Sequence, residues 1–250
     1  MPSLARMLQD RRRRHEVYSR PEFWNDKASH LEGKAVSMWR NNHLNRLYHA
    51  DQLALLDSEL PDLAGRDLLD LGCGTGRISR HLAGRGARVV GVDFAEKAVA
   101  IARGLSTGEN PRYEVGSMLA LEGAARYDAV VSWGSVAIAC RSADELRQVA
   151  THLHRLLRPG GKLLLLEPVH RGFLHRVLDL EVGEFSRILS DAGFRGVRVQ
   201  EMHFWPVRLA LAYVPWPRWI TAPLHDFGQV LLERCGAGWG GDYKAISAVP

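Results

Sequence analysis

The chain has 250 residues, of which 46% are hydrophobic and 24% charged, a balance that supplies a sizeable core and excludes a disordered or fibrous polymer. That length suits one elaborated α/β domain better than two independent ones. The formal net charge is +5 and includes the run Arg11, Arg12, Arg13 and Arg14; its plainest reading is a solvated helical end, with contact to anionic lipid or nucleic acid second.

In chain order, MPSLARMLQDRRRRHEVYSR lacks the apolar centre of a secretory signal and no run is long enough to span a bilayer, so the expected location is the cytoplasm. Residues 1–62 read as an N-terminal helical cap, with the amphipathic stretch LNRLYHADQLALLDSEL ended by Pro61. From 63 to 250 short apolar strands (DLLDL, ARVVGVD, PRYEVG, YDAVVS, GKLLLLE) alternate with helical segments, the rhythm of a parallel sheet covered on both faces. The segment DELRQVATHLHRLLRPGG reads as a helix stopped at Pro159, Gly160 and Gly161. EVGEFSRILSDAGF then reads as a helix ending at Gly193, and RVQEMHF and DYKAISAV as two further strands. Between those strands, 205–235 is an apolar insertion broken by Pro206, Pro215, Pro217 and Pro223, which predicts two helices joined by a proline-rich turn. Cys73, Cys140 and Cys235 lie far apart and offer neither a disulfide framework nor zinc spacing. Cys73 reads as a small buried side chain.

The most informative segment is Asp70-Leu71-Gly72-Cys73-Gly74-Thr75-Gly76, where a buried strand turns into a helix. Glycines there permit backbone angles and close approaches that a side chain forbids. Asp93 ends the next strand, where a carboxylate accepts hydrogen bonds from both hydroxyls of a ribose, so an adenosine moiety is expected. The spacing is GxGxG rather than the GxGxxG that suits a pyrophosphate, which demotes a nicotinamide dehydrogenase.

As a set, LLDLGCGTGRISRHL, GVDFAEKAV, YDAVVS and LHRLLRPGGKLLLLE resemble the successive motifs of class I S-adenosylmethionine-dependent methyltransferases. The resemblance covers Asp67 to Phe194 and adds DYKAISAV as a final strand. It implies a three-layer αβα sandwich whose seven-stranded, mostly parallel sheet runs 3-2-1-4-5-7-6, with the last strand antiparallel. It also implies S-adenosyl-L-methionine as cofactor and S-adenosyl-L-homocysteine as product. Carried over by position, Asp70 and Gly72 serve the methionine end, Gly74 and Gly76 lie under the adenosine, Asp93 takes the ribose and Phe94 packs on adenine. The family's acidic residue after the third strand is replaced by Gly116-Ser117-Met118, which leaves Ser117 or a backbone carbonyl to meet the adenine amino group, beside Met118. Ser132-Trp133-Gly134-Ser135 falls where sulfonium and acceptor meet: Ser132 is assigned to the cofactor, Trp133 and Ser135 to the acceptor. That segment departs from the Asn/Asp-Pro-Pro-aromatic motif of amino-group methylation. Asp144 and Glu145 read as helix capping rather than metal ligands, so no metal is expected.

Displacement at a sulfonium methyl asks the protein mainly to align the acceptor and exclude water. His170, just beyond the fifth strand, is the candidate base, with a loop cap or a pairing with Glu167 or Asp179 as its bland alternative; Glu167 itself reads as structural. Arg171, Tyr213 and Trp216 are assigned to the acceptor, the last two because Phe204, Trp205, Leu209, Tyr213, Trp216 and Trp219 could wall an apolar pocket or equally form a packing, dimer or membrane-surface face. Tyr48, with Trp24 and Arg46, is expected to close over the cofactor, whereas His43 and His49 are read as surface or lid contacts. The expected activity is O- or N-methylation of a small, apolar or aromatic metabolite, with nucleic acid disfavoured as a partner and a homodimer left open. The alternatives are a methyltransferase that reaches RNA or a peptide through the arginine run, and a partner protein that binds the cofactor without catalysis.

Overall fold

The computed structural model describes residues 14–30, 39–172, 177–235 and 240–250. Arg11, Arg12 and Arg13 lie outside the described residues, and Arg14 opens the first described helix. Three helices come first: α1 (Arg14–Tyr18), α2 (Pro21–His30) and α3 (Asn42–Glu59). Asn41 caps α3, its side-chain oxygen accepting from the backbone N–H of His43 and Leu44, which supplies two of the bonds a helix start lacks.

The alternating part follows as β1 (Asp67–Leu71), α4 (Arg77–Gly84), β2 (Arg88–Asp93), α5 (Glu96–Leu105), β3 (Arg112–Val115), β4 (Tyr127–Trp133), α6 (Val136–Ala139), α7 (Ala143–Leu156) and β5 (Leu157–Glu167). The chain closes with α8 (Val182–Asp191), β6 (Arg195–Phe204), α9 (Trp205–Ala212), α10 (Arg218–Cys235) and β7 (Gly241–Val249). The seven strands form one sheet in the order β3-β2-β1-β4-β5-β7-β6, the order the resemblance implies. β7 runs antiparallel between β5 and β6, and the remaining pairs are parallel.

Strands covered on both faces must be apolar throughout, and Leu68, Leu69 and Leu71 of β1 and Leu163 to Leu166 of β5 are all buried. One face carries α7 and α8 through Leu146, Leu153, Phe185 and Ile188; the other carries α3 and α4 through Leu56, Ile78 and Leu82. The helix expected to run to Pro159 ends at Leu156, and Arg158 to Gly161 bulge within β5, where its register against β4 shifts. Ser142, rather than Asp144 or Glu145, caps α7 by accepting from the Glu145 N–H; Asp144 and Glu145 sit in the first turn and pair with Arg147 and Arg141. The proline-broken insertion forms α9 and α10 with Pro215 and Pro217 between them. Among the described residues, no helix is long and apolar enough to cross a membrane.

Candidate active site

The carboxyl ends of β1, β2 and β4 open into a cavity of about 400 Å³. Its floor is the turn after β1, in which Gly72, Gly74 and Gly76 hold φ of 72°, 54° and 75°, values that a side chain disfavours. The turn is stitched to the end of β2: Gly72 and Cys73 donate to the Val92 carbonyl at 2.7 and 3.1 Å, and Gly74 donates to Asp93 Oδ2 at 2.9 Å. Asp93 Oδ1 accepts from Ala95 at 2.9 Å. The Phe94 N–H also turns to this carboxylate, which lines the cavity as an acceptor. Burial pushes the Asp93 carboxyl above the ordinary carboxylate range, against the backbone N–H groups that favour its charge. Asp70 is buried and accepts from Ser79 Oγ at 2.5 Å. Burial raises its pKa to about 6, with Ser79 and Arg77 pulling the other way.

Asp70, Gly72, Gly74, Asp93, Phe94, Ser117, Met118, Trp133, Ser135 and Tyr48 all line this cavity. Gly76 lies behind it, packed on the Tyr113 ring. Ser132 is also withdrawn, its hydroxyl donating to Glu167 Oε1 at 3.1 Å. Glu167 is fully buried and gathers the backbone N–H of Ser135, Val136 and Ala137 as well, which anchors the loop after β4.

The remaining expectations are corrected. His170 is not among the lining residues: it is buried, with Nε2 2.8 Å from the Asp242 carbonyl and a backbone bridge to Asp179, so it serves the loop rather than the cavity. Arg171 faces solvent and pairs with Glu181 and Glu184. Tyr213 and Trp216 lie at the surface, 48% and 36% exposed, and Trp219 and Phe227 are more exposed still, so this stretch does not wall the cavity. Arg46 is also absent from the lining.

The cap contributes more than its sequence announced. Asn45, Tyr48, His49 and Gln52 follow the i, i+3, i+4, i+7 rule along α3 and present one face to the cavity. Arg77, the first residue of α4, meets that face; its Nη2 donates to Gln52 Oε1 at 2.7 Å and its Nη1 contacts His49 Nδ1. Burial and the neighbouring Arg77 hold the His49 imidazole down to about 4, so the ring is neutral at ordinary pH. On the other flank Trp24 donates to the Tyr18 carbonyl, Ala28 packs on Ala95 and Ala98, and Asn25 accepts from the N–H of Lys97, docking α2 onto α5. Trp39, Tyr48, Trp133 and Tyr243, with Leu166, give one end of the cavity an apolar, largely aromatic wall, where Trp133 Nε1 is buried without a hydrogen-bond partner among the described residues.

Comparison with known proteins places this geometry. The family model described as a methyltransferase domain matches residues 68–161. The ubiquinone biosynthesis O-methyltransferase of Xanthomonas oryzae pv. oryzae is 39% identical over 178 residues, 69% of each chain. The enzyme of the same description from Burkholderia multivorans is 27% identical over 180 residues, 66% of this chain and 75% of its own. In fold, the chain resembles an S-adenosylmethionine-dependent methyltransferase from Mesorhizobium loti (TM-score 0.58, 21% identity, 79% of this chain and 96% of that one). It also resembles the magnesium protoporphyrin IX methyltransferase of Synechocystis solved with bound cofactor (TM-score 0.53, 21% identity, 82% and 79%). With 39% identity to the Xanthomonas enzyme over 69% of each chain and with the sheet order β3-β2-β1-β4-β5-β7-β6, the chain belongs to the class I S-adenosylmethionine-dependent methyltransferases.

Proposed function

We propose that this enzyme methylates a hydroxyl oxygen of a small aromatic molecule, and the observation that carries the proposal is the juxtaposition of the glycine turn with an aromatic wall in one cavity. The residues fit S-adenosylmethionine. A Cβ at Gly74 would meet no protein atom within 4 Å, so the space above this glycine is left for a ligand. When bound there, the cofactor supplies an electrophilic methyl group on a sulfonium. Asp93 receives the ribose hydroxyls, Phe94, Ser117 and Met118 border the adenine, and Arg77, held by Gln52, pairs with the methionyl carboxylate. Tyr48 and Trp24 on the cap helices close the site against water.

The acceptor lies against Trp39, Tyr48, Trp133 and Tyr243, and the Trp133 Nε1–H is a donor available to a polar atom of that ring. With Nδ1 of His49 engaged by Arg77, Nε2 carries the imidazole proton, so this ring donates to an acceptor oxygen rather than removing its proton. Such a site suits acceptors that ionise readily, phenols above all, and positioning does most of the catalytic work. The similarity to ubiquinone biosynthesis O-methyltransferases supports oxygen as the methylated atom.

The test is transfer of labelled methyl from S-adenosylmethionine to a panel of catechols, phenols and cell extract, fractionated into organic, polar, protein and nucleic-acid pools. Label in the organic pool, with phenols outpacing amines, is the expected result. Label in protein or RNA refutes the small-molecule acceptor. Failure of S-adenosylhomocysteine to bind, or unchanged binding in Asp93→Ala, refutes the cofactor assignment of that carboxylate.

A further inference from the structure

Behind the aromatic wall, three side chains from distant stretches of sequence converge: Asp51 on α3, His203 near the end of β6 and His225 on α10. One donor atom of each lies within 4.8 Å of the others. Asp51 Oδ2 is 3.2 Å from His203 Nε2 and 3.0 Å from His225 Nε2. Both imidazoles are buried, with 0% and 6% of their side chains exposed, whereas Asp51 is 28% exposed and keeps one side of the cluster open to solvent.

The hydrogen bonding of His225 singles out this cluster. Its Nδ1 lies 3.3 Å from Asp226 Oδ1, which fixes the ring proton on Nδ1. In the neutral ring Nε2 then bears a lone pair, and it faces a carboxylate oxygen that is itself only an acceptor. Among the described residues Nε2 has no hydrogen-bond partner, although it is buried. At 3.0 Å the two atoms need a positive charge between them, either a ring proton, which the neighbouring Asp51 and Asp226 carboxylates favour, or a metal ion. An ion bound at zinc-like distances in tetrahedral geometry separates its donor atoms by roughly 3.3–3.5 Å, which the two Asp51–imidazole spacings approach within a few tenths of an ångström, while the donor atoms of the two imidazoles lie within 4.8 Å of each other. A carboxylate on the far nitrogen of a liganding histidine is also the usual outer partner of such a site.

We propose that Asp51, His203 and His225 form a binding site for a divalent transition-metal ion of the zinc class. Two imidazoles with one carboxylate select that class over magnesium or calcium, which take oxygen donors. The ion would pin α10 and the end of β6 to the cap helix. Its consequence for the active site is mechanical: Tyr48, a wall of the cavity, stacks on His203 with ring centroids 3.5 Å apart and planes 17° from parallel, and Tyr243 abuts the same ring edge-on. Asp51, His203 and His225 are absent from the cavity lining, so the ion would act on structure rather than on the transferred methyl group.

Chelator-stripped full-length protein is titrated with Co²⁺ and followed by visible d–d absorption, then challenged with Zn²⁺. The expected result is one saturable equivalent with tetrahedral bands, bleached by Zn²⁺ and lost in Asp51→Asn and His225→Gln. Circular dichroism melts in chelator establish that these variants fold. Asp226, with 74% of its side chain exposed, tolerates replacement; Asp226→Asn is expected to weaken Co²⁺ binding about 10–100-fold. Absence of a saturable site in the wild-type protein would mean that a proton bridges the cluster and overturns the proposal. Binding that survives Asp51→Asn and His225→Gln, or an unchanged affinity in Asp226→Asn, overturns it as well.

Discussion

Gly74 and Gly72 share one backbone conformation but not one environment, and substituting alanine at each separates the cost to folding from the cost to binding. Both hold positive φ, 54° and 72°, where a Cβ costs about 1–2 kcal/mol. At Gly74 that is the whole expected penalty, because a Cβ there meets nothing within 4 Å. For a chain of this size, about 1–2 kcal/mol corresponds to a fall in Tm of roughly 2–8 °C. The new methyl group instead enters the cavity, and an overpacking cost of about 1–3 kcal/mol converts to roughly 5–150-fold weaker binding of S-adenosylhomocysteine. At Gly72 the Cβ collides with Oγ and Cβ of Ser135, and no rotation of that serine moves its Cβ away. The collision adds about 1–3 kcal/mol to the backbone strain, for a total near 2–5 kcal/mol. Urea denaturation and isothermal titration of S-adenosylhomocysteine measure the two quantities independently. Wild-type affinity in Gly74→Ala, or equal destabilisation by the two substitutions, would refute the reasoning.

Glu167→Gln places an amide NH₂ against at least one of four converging donors, the Ser132 hydroxyl and the N–H groups of Ser135, Val136 and Ala137; equilibrium denaturation is expected to show a loss of about 1–3 kcal/mol. His49 is held at about 4, first by burial and then by Arg77, so its NMR ring resonances are expected to stay those of a neutral imidazole down to pH 5. Because the unfolded chain takes up this proton near pH 6.5 and the folded chain refuses it until about pH 4, the residue's contribution to stability declines as pH falls across that window. Arg77→Gln is expected to raise the His49 pKa only part of the way, since burial is the larger cause; full recovery to 6.5 would contradict that order. Tyr213→Ala and Trp216→Ala, at the surface and outside the cavity lining, are expected to leave S-adenosylhomocysteine affinity within about twofold of wild type.

The sheet was legible in the sequence because its strands are buried on both faces, so that the leucines of DLLDL and the four-leucine run of KLLLLE stand out between amphipathic helices. The exception is the start of β5. Pro159, Gly160 and Gly161 carry the composition of a helix stop, and the helix does end nearby at Leu156, but the strand has begun by Leu157 and the glycines form its bulge. Local chemistry signals that the chain must bend there and leaves open which element contains the bend.

The floor of the site was readable for the same reason that it is rigid: glycine turn, Asp93 and strand ends lie within one short stretch, and their hydrogen bonds are local to it. The walls were not, because they depend on long-range placement. Asn45, Tyr48, His49 and Gln52 already show the helical face spacing in sequence, a pattern that an apolar stripe would share, and only the packing of α3 over the glycine turn distinguishes a cavity face from a core face. The insertion misleads in the opposite direction. Its Trp and Tyr residues have the composition of a pocket, yet α9 and α10 pack on the β6 edge of the sheet and leave Tyr213, Trp216 and Trp219 on the outside. What the insertion does deliver to the site is His225, set beside Asp51 and close behind Tyr48. No motif links those positions, so a periodicity search misses them, and they become a candidate site only when three elements meet in space.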